Sequence, residues 1–413
     1  MPPDARLIRE LRPVVGCVVF FIAIATTPFL VCASDTVQTN WQSAVAGKAI
    51  PMTLLAPARD NDNPSPVVIY LKNLGAPRTG TESDDAIIND LRNTGHLVTT
   101  LDYANHPQAR VPFINRDLAT LREDIRARRL FGDRKIDEAR VFIVPEGCRL
   151  MENVVFYADD DRNLAMDIIY PSKPQTPVGA IIEFSCDNKD RFGNFSLSVC
   201  SDTILDGFAT EGFAVAMADH PVAPPYKGLD PMPDCARKIK AAVRTLRSQS
   251  VALELNGKIV PVGFSRSSGM ALMLVTTAGN DEFEGFGMHT NVSSAVQGAV
   301  VMSGRFTYLD LLPNDKMLPR YAKAWGERET SLDTWRSHGA LDYLSNPTIP
   351  LFLTINCTEG ADALHQMDVL QKRLTALGSK FTFKLDNEPR GHKVTLDAGI
   401  LDAMNDYLKS CLN

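Results

Sequence analysis

The stretch Lys258-Ile-Val-Pro-Val-Gly-Phe-Ser-Arg-Ser-Ser-Gly-Met-Ala271 decides how this chain is read. Ile259–Val262 is a short apolar run that predicts a buried strand, and Ser268–Thr276 suits a helix. Between them lies Gly263-Phe264-Ser265-Arg266-Ser267, with a serine at the apex and small residues two positions before and after it. So sharp a turn from strand to helix forces the apex residue into strained backbone geometry, and larger side chains at the flanking positions would collide. The apex hydroxyl is exposed beside the backbone N–H groups of a helix start, where negative charge is stabilised. Ser265 is therefore a candidate nucleophile. The competing reading is a serine-rich N-cap behind a core strand.

The 413 residues can hold one large or two ordinary domains. A hydrophobic content of 45% and a charged content of 22% are those of a soluble globular protein with a sizeable core. A net charge of −6 without a basic run argues against a nucleic-acid partner. Arg6, Arg9 and Arg12 precede the apolar run Val14–Val31, and Val31-Cys32-Ala33 closes it with a small residue. Residues 1–33 read as a secretory signal peptide, which predicts a secreted or periplasmic protein. An uncleaved membrane anchor is the competing reading, and Thr26, Thr27 and Pro28 weaken it. Beyond that segment stand Cys148, Cys186, Cys200, Cys235, Cys357 and Cys411. An even number in an exported chain permits up to about three disulfides, against which stands the reading of free buried cysteines. No Cys-x-x-Cys pair supports a zinc site.

From the elbow outward, strands and helices alternate. Gln38–Lys48 has no strong pattern. Strands are expected at Pro51–Pro57, Val67–Leu71, Leu97–Asp102 and Val141–Val144, and helices at Asp84–Asn93 and Asp117 to about Arg129. The same grammar returns with strands at Ala180–Phe184 and Ala214–Asp219 and helices at Asp202–Glu211 and Asp234–Arg247. The two stretches align without gaps at an offset of 117 residues: Gly95 meets Gly212, Asp102 meets Asp219, and Asp117 meets Asp234. This reads either as an internal duplication or as the common grammar of α/β chains. Residues 34–148 would be a smaller N-terminal α/β lobe, a degenerate half-repeat. Cys148 falls opposite Ser265, but no acid and histidine follow it in its own copy, so it reads as structural. Residues 149–413 would form the main domain, with 304–349 as an aromatic-bearing lid. Within it Val154–Ala158, Leu164–Tyr170, Ala299–Ser303, Leu351–Ile355 and Phe381–Leu385 read as strands. Met367–Leu377 and Thr395–Leu412 read as helices. The expected fold class is α/β, with a mostly parallel central sheet covered by helices on both faces.

A serine at neutral pH is a poor nucleophile; it needs a base, and the base needs an orienting carboxylate. After Leu351–Ile355 the chain reads Asn356-Cys-Thr-Glu359-Gly-Ala-Asp362, and after Phe381–Leu385 it reaches Pro389-Arg-Gly-His392. Serine, acid and histidine in that order, the last two each following a strand, resemble the α/β-hydrolase superfamily. The resemblance spans residues 150–413. It is nearest to secreted carboxylesterases of the feruloyl/acetyl carbohydrate-esterase and hormone-sensitive-lipase-like groups. Their opening strands are matched by Val154–Ala158 and Leu164–Pro171, and their Gly-His by Gly391-His392. The resemblance implies Ser265 as nucleophile and His392 as base. In such families the acid commonly lies seven residues before a helix glutamine, which from Gln366 gives Glu359; Asp362 is the alternative acid. The usual His-Gly-Gly oxyanion loop is replaced by Ser185-Cys186-Asp187-Asn188. Cys186, Asp187 and Asn188 are thus expected to offer oxyanion N–H groups together with Arg266. Ser265-Arg266 resembles, over a few residues, the elbow of glucuronoyl esterases, where the arginine holds the oxyanion; a solvent-facing or salt-bridged Arg266 is the other reading.

These readings imply an exported serine hydrolase acting on a carboxylic ester, on carbohydrate or another polar substrate, with no metal or organic cofactor. A peptidase of the prolyl-oligopeptidase type and a non-catalytic hydrolase-like binding protein stay open.

Overall fold

The computed structural model describes residues 36–413 apart from 44–46, 60–62, 76–77, 107–114, 128–129, 161, 186–190, 192–207, 222–231 and 395–396. The N-terminal apolar segment and the candidate oxyanion residues Cys186, Asp187 and Asn188 therefore lie outside the described residues. Among the described residues no helix is long and apolar enough to cross a membrane.

Eight strands form the larger sheet: β6 (Cys148–Ala158), β7 (Asn163–Pro171), β8 (Val178–Phe184), β9 (Ala214–Ala218), β10 (Leu255–Phe264), β11 (Ala299–Met302), β12 (Leu351–Asn356) and β13 (Phe381–Asp386). Their order is β13-β12-β11-β10-β8-β9-β7-β6. The strands β8 to β13 are parallel, and β6 and β7 close one side antiparallel. The central strands β9, β11 and β12 are buried at every residue, as parallel strands covered on both faces must be. Helices α3 (Met232–Ser248), α4 (Arg266–Thr276) and α7 (Ala361–Ala376) pack one face, and α8 (Ala398–Leu412) packs the other.

The smaller sheet has β1 (Thr36–Gln42), β2 (Ala49–Leu55), β3 (Ser65–Lys72), β4 (Leu97–Asp102) and β5 (Ile136–Pro145), with α1 (Asp84–Asn93) and α2 (Asn115–Arg126) between them. Its order, β1-β2-β4-β3-β5, repeats strand for strand the run β6-β7-β9-β8-β10 of the larger sheet, with the same parallel and antiparallel senses. Gly95 and Gly212, the paired helix stops, share a left-handed backbone at φ 95° and 96°. The two sheets are not separate cores. Val68, Tyr70, Val98, Phe142 and Val144 of the small sheet share one apolar layer with Ile181, Val215, Val260, Val300 and Phe352 of the large one.

Three expectations change. The Gln38–Lys48 region contains most of a strand, because β1 is an edge strand whose only fully covered apolar residue is Trp41; pairing with β2, not hydrophobic pattern, makes it. Helix α7 begins at Ala361 rather than Met367, which puts Asp362 in its first turn. Cys148, Cys235, Cys357 and Cys411 are free thiols, so the three-disulfide framework does not form.

Charges bind the lobes where the layer reaches the surface. Arg149 of β6 pairs with Glu82 and Asp90 beside α1, and Ser172 and Lys173 also reach Glu82. The hydrogen bond from Arg149, then that from Ser172, pulls the Glu82 carboxyl down to about 2. A carboxyl lowered on folding adds stability that is complete above its unfolded pKa and is lost as pH falls through the folded one. Glu82→Gln should therefore lower the urea midpoint at neutral pH and flatten its fall between about pH 4.5 and about 2. Equal acid sensitivity in both proteins would place that titration elsewhere.

Candidate active site

At the end of β10 the chain turns into α4 through Ser265, which sits at φ 56° and ψ −119°. A non-glycine residue there costs about 1–3 kcal/mol and persists only where its surroundings hold it. The Ser265 N–H donates to the Met302 carbonyl at 2.9 Å. Phe264 N–H donates to the Ser267 hydroxyl, which itself donates to the Phe264 carbonyl, both at 2.8 Å. A Cβ on Gly263 would lie 2.3 Å from the Ser267 carbonyl oxygen and 2.6 Å from Ser268 Cα. Gly263 is thus a steric requirement, and Ser267 closes the turn through its hydroxyl. The Ser265 hydroxyl makes no cap bond to α4, which sets aside the N-cap reading.

Instead, Ser265 Oγ lies 3.0 Å from His392 Nε2, and His392 Nδ1 lies 2.9 Å from Glu359 Oε1. The Phe264 ring packs against the His392 ring, tilted by 34°, at 4.6 Å between centroids. The Glu359 side chain is 3% exposed and that of His392 47%. Burial acts to raise the Glu359 pKa, but the hydrogen bond and charge of His392, with the Ser303 hydroxyl and the Gly360 N–H, outweigh it. The carboxyl is held below its usual range. Asp362, the alternative acid, points elsewhere: its carboxylate binds the Arg305 guanidinium, which also grips the buried Asp315. Of the two candidate acids, Glu359 is the one against His392.

The loops that carry Glu359 and His392 leave neighbouring strands at the paired residues Asn356 and Asp386. One side chain ties them. Asn356 Oδ1 accepts from Thr358 N–H, Thr358 hydroxyl, Arg390 N–H and Gly391 N–H, while Nδ2 donates to the Glu388 carbonyl. Nothing in the sequence singled out Asn356; an asparagine at a strand end is common.

Ser265 and His392 open onto a cavity of about 460 Å³ whose far wall is the aromatic segment 304–349. That segment contributes helices α5 (Leu318–Trp325) and α6 (Leu332–His338). Tyr321 and Trp325 stack 4.7 Å apart and nearly parallel, with Tyr308, Trp335 and His338 packed edge-on or tilted against them. Gln366 of α7 holds this wall in place: its Oε1 accepts from Phe306 and Thr307 N–H, and its Nε2 donates to the Asp310 carbonyl. Arg266 begins α4 directly after Ser265 and is among the residues that line the cavity. His220, which the sequence reading missed, also lines it; burial, then the charges of Arg266 and Arg162, push its imidazole well below the usual range, so it is neutral at pH 7. On either side of residues 186–190 in sequence, Ser185 is buried after β8 and Arg191 is pinned by Asp167 and Asp219.

No protein-family model and no curated protein matches the sequence. Solved structures do. The chain is similar to a carbohydrate esterase from gut microbiota, at 18% identity and a TM-score of 0.50 over 63% of this chain and 95% of that one. It is also similar to a bifunctional GH43-CE protein of Bacteroides eggerthii, at 18% identity and a TM-score of 0.52 over 63% of this chain and 38% of the other. A thermophilic esterase from Thermogutta terrifontis, solved with propionate bound, aligns at 14% identity and a TM-score of 0.48, over 64% and 94% of the two chains. With the strand order above, the fold is of the α/β-hydrolase type.

Gly263→Ala is expected to destabilise by on the order of 1–3 kcal/mol, because α4 must move off the strand to admit the methyl. Chemical denaturation reads this directly. An unchanged midpoint would show that α4 is free to shift.

Proposed function

We propose that this chain is an exported serine hydrolase that cleaves carboxylic esters on carbohydrate or another polar substrate. The observation that carries the reading is the unbroken chain Ser265 Oγ, His392, Glu359, at 3.0 and 2.9 Å, opening on a walled cavity. The resemblance of the fold to proteins whose names include carbohydrate esterase supports it.

In this mechanism Ser265 attacks the ester carbonyl while His392 Nε2 takes its proton. The proton then passes to the leaving alcohol, and water, activated by the same nitrogen, releases the acid. Glu359, held anionic, accepts from Nδ1–H, keeps the other nitrogen free to act as base, and stabilises the imidazolium. The Arg266 N–H, in the first turn of α4, faces the oxyanion, and an N–H from Cys186, Asp187 or Asn188 completes the pair. The guanidinium of Arg266 adds a fixed positive charge. Cleavage by the same residues of an amide next to proline is the alternative, and a panel of para-nitrophenyl acetate, feruloyl esters and aminoacyl anilides separates the two.

Ser265→Ala and His392→Ala should each lower kcat by about 10⁵–10⁶, Glu359→Gln by somewhat less, and Asp362→Asn only slightly. Labelling of the wild type by a fluorophosphonate, lost in Ser265→Ala, checks the nucleophile independently. If Asp362→Asn is the crippling change, the acid is misassigned; if Ser265→Ala retains turnover and labelling, the serine mechanism is wrong.

Arg266→Ala separates two roles for that side chain. A fall in kcat of about 10²–10³ on neutral and acidic esters alike supports the oxyanion role. A rise in KM confined to acidic esters supports substrate binding, and no change on either removes the guanidinium from the mechanism.

A further inference from the structure

Three arginines line the cavity beside Ser265, Arg266, Arg305 and Arg320, and among the described residues no aspartate or glutamate lines it. They are not equivalent. Arg305 is neutralised in place by two acids behind the wall, Asp315 and Asp362. Arg266 is fixed at the start of α4, next to the nucleophile. Arg320 differs from both. It lies on α5, one residue before Tyr321, and is exposed. Its guanidinium makes no hydrogen bond, ion pair or ring contact among the described residues. The two histidines of the lining other than His392, His220 and His338, are both lowered by burial and offer no charge at neutral pH.

Among the described residues the lining therefore carries one positive charge with no acid beside it, that of Arg320, against a wall of stacked aromatic rings. Such walls exclude water and lower the local dielectric, so a charge beside them acts over a longer reach than on open surface. A flat surface arginine is held by solvent alone. An arginine that lines a cavity and lacks a protein acid is a docking point for an anion, and its planar fork suits a carboxylate.

We propose that the ester taken by this cavity carries a carboxylate, on its acyl or its alcohol part, and that Arg320 is the specificity residue that pairs with it. The proposal rests on the ester-hydrolase reading above. Arg305, already neutralised, and the Tyr321–Trp325 stack form the fixed wall along which the anionic part lies. The ester bond then sits at Ser265, with the carboxylate toward α5.

Two matched ester pairs test this with the full chain. Para-nitrophenyl hemisuccinate against para-nitrophenyl isohexanoate places the charge on the acyl side. Para-acetoxybenzoate against para-acetoxybenzamide places it on the alcohol side. The anionic member of at least one pair should be favoured in kcat/KM by roughly tenfold, a difference of the size one charge-assisted hydrogen bond supplies, and carried mainly by KM. Arg320→Gln should bring that ratio near unity, and Arg320→Glu should invert it. Both variants should melt with the wild type, since the side chain is exposed and holds no partner. A preference for the neutral member in both pairs overturns the proposal, as does an anionic preference that survives Arg320→Glu. If none of the four esters is cleaved and Ser265 is not labelled by a fluorophosphonate, the ester-hydrolase reading fails instead. Titration with benzoate against benzamide, followed by tryptophan fluorescence, then decides the anion site alone: benzoate binding lost in Arg320→Glu supports it, and equal weak binding of the two compounds overturns it.

Discussion

The structure depends on holding one residue in a backbone conformation it would not choose. Ser265, at φ 56°, is kept there from three sides. Its N–H is bound to β11, the Phe264–Ser267 clasp closes the turn behind it, and α4 presses against Gly263 with no room for a side chain. A helix that must approach a strand this closely has to be well anchored. Helix α4 is buried from Ser267 to Val275, including Met270, Leu272, Met273 and Leu274. Each such side chain contributes about 1.5–3 kcal/mol on burial, so together they outweigh the strain of about 1–3 kcal/mol at the turn. The local strain is stable because it is a small cost inside a large, apolar contact.

The rest of the site is a consequence of parallel strands. In a parallel sheet all C-terminal ends lie along one edge, so residues far apart in sequence meet there. Ser265 leaves β10, Glu359 follows β12 and His392 follows β13. Loops alone would not fix a 3.0 Å contact, because loops are the mobile part of most folds. Asn356 supplies the missing rigidity by bonding five groups of the two loops at once, and the Arg390–Asp386 ion pair braces the histidine loop from its own strand. The contact of Glu359 with His392 is then inherited from strand register, β12 against β13, and not from the flexibility of the loops.

That is also why the sequence was informative in some places and silent in others. The elbow was legible because Gly263 has no room for a side chain and Ser267 closes the turn with its hydroxyl, which leaves a mark at fixed spacing. The count back from Gln366 pointed to Glu359, which is the candidate acid that lies against His392. Gln366 is 1% exposed and binds the backbone of Phe306, Thr307 and Asp310, which fixes its place on α7 relative to the segment 304–349. What was illegible depended on partners. The β1 strand exists through its ladder with β2. Cysteine number carries no distances, so it could not tell thiols from disulfides. Arg320 reads as any solvated helix arginine until the cavity behind it is seen. Asn356 has no signature, because its role is defined by two loops that the chain brings together only on folding.

The small sheet shows what the same topology does without an elbow. Its five strands repeat the order and senses of β6 to β10, yet β5 does not turn into a helix. The chain goes from Pro145 through the turn Glu146–Gly147 directly into β6. Cys148, which aligns with Ser265, is consequently the first residue of a strand and 0% exposed, with no helix start beside it. Gly147, the residue before it, has a positive φ of 74°, as Ser265 has at 56°, but in a glycine, which adopts it without a side-chain clash. The edge where a site would lie is filled instead by Arg78, Glu82, Asp84, Glu146 and Arg149, paired among themselves and with Lys173. Those pairs fasten the small sheet to the large one. The C-terminal edge of a parallel sheet gathers polar side chains wherever it occurs, and whether they become a site or a seam is decided by the one turn that follows its central strand.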